Sequence, residues 1–529
     1  MIVRVFGYIV GIVIAVSIAL FASILFVKPD QKGIDPAIYD DGDGVNVLQV
    51  MSAKRSEVSP PNIIVILADD LGYGDVGAYG NQVLSTPEID KLAEEGMRFT
   101  NYYAGSSVCS PSRASLLTGR YPVRTGVTNA LQPADGTLVR DFIYQLAIAS
   151  SYFSGADMMG GSAAVRGLPR SEITIPEALK VGGYRTMGIG KWHLGDFTLL
   201  PEYHPFEHGF DEFIGFNMSN DDFPVAFYRG EEEIVKDIAA DQSHYTRLFT
   251  EAAVEFIERN QAAPFFIYLA HKDPHLPFFP SENFAGKSNG GPYGDAVSEF
   301  DWSAGQIVRT LKRLGLEENT LVILTSDNGP WYEGDPGHLR GRKGQSYEGG
   351  FSVPFIARWP GKIPADVVSD EPVMATDLFP TFLRLAGVTL PDDRVIDGVN
   401  IMPLLNGQIE TMPDRPLLFF HDFDLEAIRV GDWKYYNSYS RYVWPVPVDK
   451  PDTLGGKGSA ARNYTPEGTD TIIPVGPELP VLYNVARDRA EAYNLVRNEP
   501  EKNQHMLNEY MDRRNAFYAN PRGWLQQGQ

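Results

Sequence analysis

Cysteine is all but missing: Cys109 is the only one in 529 residues. No disulfide can close within the chain, and cysteine usage does not report its redox compartment. Positive charge is scarce as well. Lys and Arg total 46 against 68 Asp and Glu, for a formal net charge of −22 and a pI near 4.9. A phosphate backbone repels such a surface, which excludes a nucleic-acid partner, although a locally basic pocket can still take an anionic substrate. No internal repeat is present. One uncharged run, Val5 to Val27 between Arg4 and Lys28, is long enough to matter for a membrane. As a helix it measures about 34 Å, enough to span a bilayer. No A-x-A cleavage site follows. The expectation is an uncleaved signal anchor, with the rest of the chain exported to the periplasmic or extracellular side. Lys28 and Lys32 offset Arg4, so the positive-inside rule adds little to that orientation.

Against these absences stand 43% apolar residues and 26 Tyr, which exclude a mainly disordered chain. The length suits one large domain plus a smaller one. Asn62 to Leu67, Gly183 to Gly190, Phe265 to Leu269 and Leu321 to Thr325 are apolar runs of the kind buried on both faces of a sheet. Phe99 to Tyr103 reads as a further short strand. Helical patterns separate them at Thr86 to Gly96, Glu172 to Lys180, Tyr245 to Asn260, Glu299 to Leu314 and Asp377 to Ala386. The fold class expected is α/β: a large, mixed, mostly parallel sheet sandwiched by helices. Past Pro413 come three short strands, Pro416 to Phe420, Ala427 to Val430 and Trp433 to Tyr436, and an amphipathic helix from Pro500 to Tyr518. These read as a small C-terminal α+β domain, with Pro447 to Pro477 a long loop.

The four long apolar strands all end in polar residues: Asp69-Asp70, Lys191-Trp192-His193, His271 to His275, and Asp327-Asn328. In open α/β sheets ligands bind at that carboxyl edge. Each ending alone is an ordinary turn, but four together point to one shared site. Asp69, Asp70, Asp327 and Asn328 form an all-oxygen set that suits Ca²⁺, or Mg²⁺ in its place, rather than zinc. Lys191, His193, His271, His275, Lys343 and Arg113 could clamp an oxyanion and move protons. Cys109 opens the stretch Cys-Ser-Pro-Ser-Arg-Ala-Ser-Leu-Leu-Thr-Gly-Arg. Pro111 fits a first helical turn and Gly119 a helix end, which puts Cys109 at a helix N-terminus with Arg113 one turn on. A lone cysteine is often an inert structural thiol; one in this setting is less often so. His204 and His208 read as structural.

This stretch resembles the signature of the type I sulfatases, the formylglycine-dependent, arylsulfatase-like enzymes of the alkaline phosphatase superfamily. The resemblance extends through Asp-Asp-Leu-Gly-Tyr-Gly-Asp at 69–75, Gly-Lys-Trp-His-Leu-Gly at 190–195, Gly-Phe-Asp-Glu-Phe at 209–213 and Pro-His-Leu-Pro at 274–277. Ser-Asp-Asn-Gly at 326–329, Arg-Lys-Gly-Gln-Ser-Tyr-Glu-Gly-Gly at 342–350 and Leu-Tyr-Asn-Val at 482–485 complete it. It implies a sulfuric ester hydrolase whose Cys109 is oxidised by a maturation enzyme to Cα-formylglycine, with Asp69, Asp70, Asp327 and Asn328 holding Ca²⁺ next to it. One hydroxyl of the hydrated aldehyde would attack sulfur. His275 and Lys343 would hold the sulfate, and His275 or Lys343 would protonate the leaving oxygen. Arg113 and Lys191 would fix the diol, Lys191 also facing the sulfate, and His193 would take a proton as sulfate leaves. His271 matches no motif position and reads as supporting.

The expected boundaries are anchor 1–28, linker 29–61, catalytic domain 62–412 and C-terminal subdomain 413–529. Partners would be a small-molecule or carbohydrate sulfate ester, the maturation enzyme and the membrane. One departure stands out. Where many relatives read Glu-Gly-Gly-x-Arg-Val-Pro, Ser352 replaces the arginine, which puts a local support in doubt. The apolar segment Asp135 to Arg170 matches no motif and could line the pocket, cover it, lie on the membrane or simply pack on the core. Two other activities compete: a phosphonate monoester or phosphodiester hydrolase of the same superfamily, and a non-catalytic sulfate-binding relative.

Overall fold

The computed structural model describes residues 36–39, 46–53, 60–133, 165–222, 224–438 and 479–525. The expected signal anchor, most of the 135–170 segment and the Pro447–Pro477 loop lie outside them. Among the described residues no helix is long and apolar enough to cross a membrane.

In chain order the strands begin with β1 (Asn62–Ala68), β2 (Met97–Phe99), β3 (Tyr102–Tyr103), β4 (Arg185–Lys191), β5 (Glu212–Phe216), β6 (Phe227–Arg229) and β7 (Glu232–Val235). They continue with β8 (Phe265–Ala270), β9 (Thr320–Ser326), β10 (Phe355–Arg358), β11 (Val367–Ser369) and β12 (Val373–Met374). Ten of them form one sheet in the order β11-β2-β10-β9-β1-β8-β4-β5-β6-β7. The centre, β9-β1-β8-β4-β5, is parallel throughout. Antiparallel pairings occur only towards the edges, at β10, β6 and β7. Every residue of β1, β8 and β9 is buried, as continuous runs of Ile, Val, Leu and Phe require. Helices Tyr245–Arg259, Gly291–Leu314 and Pro87–Glu94 pack together as one layer, and Cys109–Thr118, Ile175–Val181 and Leu378–Ala386 as another. The fold is the expected helix-covered, mostly parallel sheet.

Register positions the site. Leu67 pairs with Ala270 on one side and Thr325 on the other, and Gly190 pairs with Ala270. Asp69, Lys191, His271 and Asp327 therefore leave the sheet at one level of its carboxyl edge.

A separate antiparallel sheet, β13 (Leu417–His421), β14 (Asp424–Val430), β15 (Trp433–Tyr436) and β16 (Val481–Asn484), carries helix Pro500–Ala519 across β14 and β15. Some elements differ from expectation. Phe99 to Tyr103 is two short strands, β2 and β3, in different sheets. The helix expected from Glu299 begins at Gly291, and the one expected from Glu172 begins at Ile175, where Thr174 and Glu177 form a capping box.

Candidate active site

Cys109 opens helix Cys109–Thr118, which Gly119 ends in the left-handed conformation at φ +68°. Its side chain is buried, facing the ends of β1, β8 and β9. Asp69, Asp70, Cys109 and His275 each offer a ligand atom, all within 4.8 Å of one another. Asp327 and Asn328 join them: the Asp70 N–H donates to Asp327 Oδ1 at 3.2 Å, and Asn328 Nδ2 donates to Asp70 Oδ1 at 2.7 Å. Asn328 Oδ1 is buried with no hydrogen-bond partner. A buried amide oxygen left over among three carboxylates fits a hard divalent cation, Ca²⁺ or Mg²⁺.

Three permanent cations surround the acids. Lys191 Nζ lies 2.6 Å from Asp69 Oδ2, and Lys343 Nζ lies 2.8 Å from Asp70 Oδ2. Arg113 Nε donates to Asp327 Oδ2 at 2.9 Å, and its Nη1 to the Lys191 carbonyl at 2.7 Å. Burial pushes the Asp69 carboxyl up, but Lys191, with His275, Arg113 and Lys343, outweighs it and holds Asp69 well below the usual range. Burial, together with Asp69 close by, raises Asp327 to about 6 against the pull of Arg113. Burial would lower both lysines, yet Asp69 raises Lys191 and Asp70 raises Lys343 well above the ordinary lysine value. The Lys191 side chain is 0% exposed, whereas Lys343 and His275 keep 12% and 7%. Lys343 and His275 thus form the open side.

The two histidines are anchored through opposite ring nitrogens. His193 Nε2 faces the Leu131 carbonyl at 3.1 Å, so it carries the proton, and Nδ1 is left as a buried, unbonded lone pair. His275 Nδ1 faces the Leu276 carbonyl at 2.5 Å, leaving Nε2 towards Asp70 Oδ2 at 3.6 Å. Burial, then Lys191 and Arg113, push His193 well below 6.5. The Cys109 thiol is pushed up by burial to about 12, despite Lys191 and Lys343. At neutral pH the group therefore stays a thiol. The thiol is not a usable nucleophile as it stands.

All ten expected site residues converge here, and His271 does not. It turns to Ser303 Oγ at 3.0 Å between Phe249 and Phe300, and burial lowers it to about 4. His204 and His208 are structural: His204 bonds the Gly230 carbonyl and the Phe206 N–H, and His208 packs on Trp192. The support in doubt at Ser352 comes from elsewhere in the chain, since Arg489 Nη2 donates to Ser352 Oγ at 3.3 Å and to the Thr100 carbonyl at 2.7 Å. Asp222, whose Oδ2 lies 3.7 Å from His193 Nε2, was not foreseen. Its signal is the one used elsewhere, polar residues just after a buried strand, but β5 is short and Gly-interrupted and does not read as a strand.

Comparison with known proteins gives the chain its relatives. The family model "Sulfatase" matches residues 61–388, and "N-sulphoglucosamine sulphohydrolase, C-terminal" matches 341–442. N-acetylgalactosamine-6-sulfatase of Mus musculus is 36% identical over 463 residues, 82% of each chain. Steryl-sulfatase of Homo sapiens is 33% identical over 528 residues, covering 83% of this chain and 85% of its own. Among solved structures, Ps i-CgsB in complex with k-i-k-neocarrahexaose superposes with a TM-score of 0.66 at 27% identity, over 89% of this chain and 96% of the other.

Proposed function

This chain belongs to the sulfatase family and is a sulfuric ester hydrolase, and on that footing we propose that it acts on a sulfate ester of a carbohydrate, with Cys109 matured to Cα-formylglycine and Ca²⁺ held by Asp69, Asp70, Asp327 and Asn328. The observation that carries this reading is the buried meeting of Cys109 with Asp69, Asp70 and His275 within 4.8 Å. Sugar sulfates are favoured by the 36% identity to N-acetylgalactosamine-6-sulfatase and by the oligosaccharide complex of a structural relative. The uncharged Val5–Val27 run supports export, with the chain anchored in a membrane and matured on the way.

When present, the hydrated aldehyde would supply a hydroxyl nucleophile and the cation would supply charge for the sulfate oxygens. The chain's own residues do the rest. Lys343 and His275 receive the sulfate from the open side. Each lysine has three donors, so Lys343 keeps N–H groups for sulfate after pairing Asp70. His275, protonated on both nitrogens with Nδ1 held by the Leu276 carbonyl, delivers its Nε2 proton to the departing oxygen, and His193 Nδ1, unbonded and neutral, accepts one from position 109. Lys191 and Arg113, sealed from solvent, keep Asp69 and Asp327 ionised and in place. Turnover of 4-nitrophenyl sulfate, set beside the phosphate esters, tests the reading. Sulfate should be preferred, Cys109→Ala should be inactive but folded, and mass spectrometry should find an aldehyde at 109. Faster phosphate turnover, or an unmodified cysteine in active enzyme, would sink it.

A further inference from the structure

The loop carrying Lys343 is gripped on both sides by the small C-terminal sheet and the segment after it. Before Lys343, Arg340 Nη1 donates to the Glu491 carbonyl at 2.9 Å. After it, the Ser346 carbonyl accepts from Lys434 Nζ and from Tyr436 Oη, both at 3.0 Å. Lys434 Nζ also donates to Glu348 Oε1 at 2.8 Å and lies 3.6 Å from Glu491 Oε1. The Glu348 N–H donates to Glu491 Oε2 at 2.8 Å. Lys434, Glu348 and Glu491 are all 0% exposed.

An ammonium sealed between two carboxylates is costly to desolvate, and apolar side chains of similar volume often replace such a group without loss of stability. What an apolar residue cannot do is fix the Ser346 carbonyl and Glu348 at set distances. Between those fixed points the loop reaches into the site: Lys343 N–H donates to the Pro330 carbonyl at 3.0 Å, and Gly344 N–H to the Ser107 carbonyl at 2.8 Å. Lys343 Nζ meets Asp70 at its apex.

We propose that Lys434 is a positioning residue for the reaction: acting through Ser346 and Glu348, it sets where Lys343 Nζ stands against Asp70 and the incoming sulfate. This rests on the reading of Lys343 as a sulfate-holding group.

A double-mutant cycle tests it, with kcat and KM for 4-nitrophenyl sulfate and thermal unfolding measured on Lys434→Met, Lys343→Ala and the pair. Lys434→Met alone should raise KM about tenfold with a smaller change in kcat, but alter kcat/KM less than about twofold in the Lys343→Ala background. The drop in unfolding temperature should be the same in both backgrounds. Equal losses of kcat/KM in both backgrounds, with Lys343→Ala itself crippled, would overturn the positioning role and leave Lys343 its own. Full activity in Lys343→Ala alone would overturn the assignment of Lys343, and this proposal with it. Should Lys434→Met fail to fold, Tyr436→Phe takes its place in the cycle, removing the hydroxyl that bonds the Ser346 carbonyl and Glu491 Oε1 while leaving Lys434 between its two carboxylates.

Discussion

His193 has the left-handed backbone at φ +54°, as Asp70 does at +65°, a conformation uncommon outside glycine and concentrated at functional sites. Its folded-state affinity for protons is depressed, so the unfolded chain binds more protons below pH 6.5. By linkage its contribution to stability is complete above 6.5 and is lost as pH falls below that value. In the proposed reaction the same shift would keep Nδ1 free to accept a proton in mildly acidic solution. We therefore expect kcat to show no His193 limb near pH 6.5, and His193→Gln to lower kcat by about 10² to 10³ with little change in KM. A limb at 6.5 that disappears in the variant would contradict this. Individual residues of the site were legible where side-chain identity carries the chemistry, as in Asp69-Asp70 or Asp327-Asn328. The Leu131 carbonyl that fixes the His193 tautomer was not, because every residue has a carbonyl and only the fold selects one.

Strands buried on both faces announce themselves as unbroken apolar runs, so β1, β8 and β9 were readable almost to the residue. The short strands β6, β7, β10 and β11 were not, since their pairing is decided by neighbours in space. Glycine exposes a finer constraint. Gly190 sits at φ +94° just before Lys191, and a Cβ there would lie 1.9 Å from the Ala270 carbonyl oxygen of the adjoining strand. β4 and β8 cannot keep their register around such an atom. Gly190→Ala should lower stability by more than about 3 kcal/mol in urea unfolding and abolish turnover. Gly183→Ala offers the comparison, with φ +84° but open space around it. It should lose only about 1–2 kcal/mol, the backbone cost alone, and keep its activity. Similar losses in the two variants would show that close strand packing does not govern this edge.

Across the whole molecule, segments at 69–70, 109–113, 191–193, 275, 327–328 and 343 are drawn to one point in a chain of net charge −22. Four of these segments were legible as endings on one carboxyl edge, whereas 109–113 and 343 were placed with them by the family resemblance. The sequence did not show that the C-terminal sheet grips the Lys343 loop, since nothing in Lys434 or Glu491 alone names a buried partner. A ligand joining such distant segments binds only the folded chain, and its binding energy adds to global stability. At a hundred times its dissociation constant that is about 2.7 kcal/mol. Ca²⁺ should therefore raise the unfolding temperature by a few degrees, about 1–2 °C per kcal/mol for a chain of this size, and a chelator should reverse it. Asn328→Ala removes the unpartnered amide oxygen while leaving every ion pair intact, so it should unfold near the metal-free temperature and respond weakly to added Ca²⁺. An undiminished Ca²⁺ response in that variant would mean that the cation stabilises the fold from some other place, and that Asn328 Oδ1 is not one of its ligands.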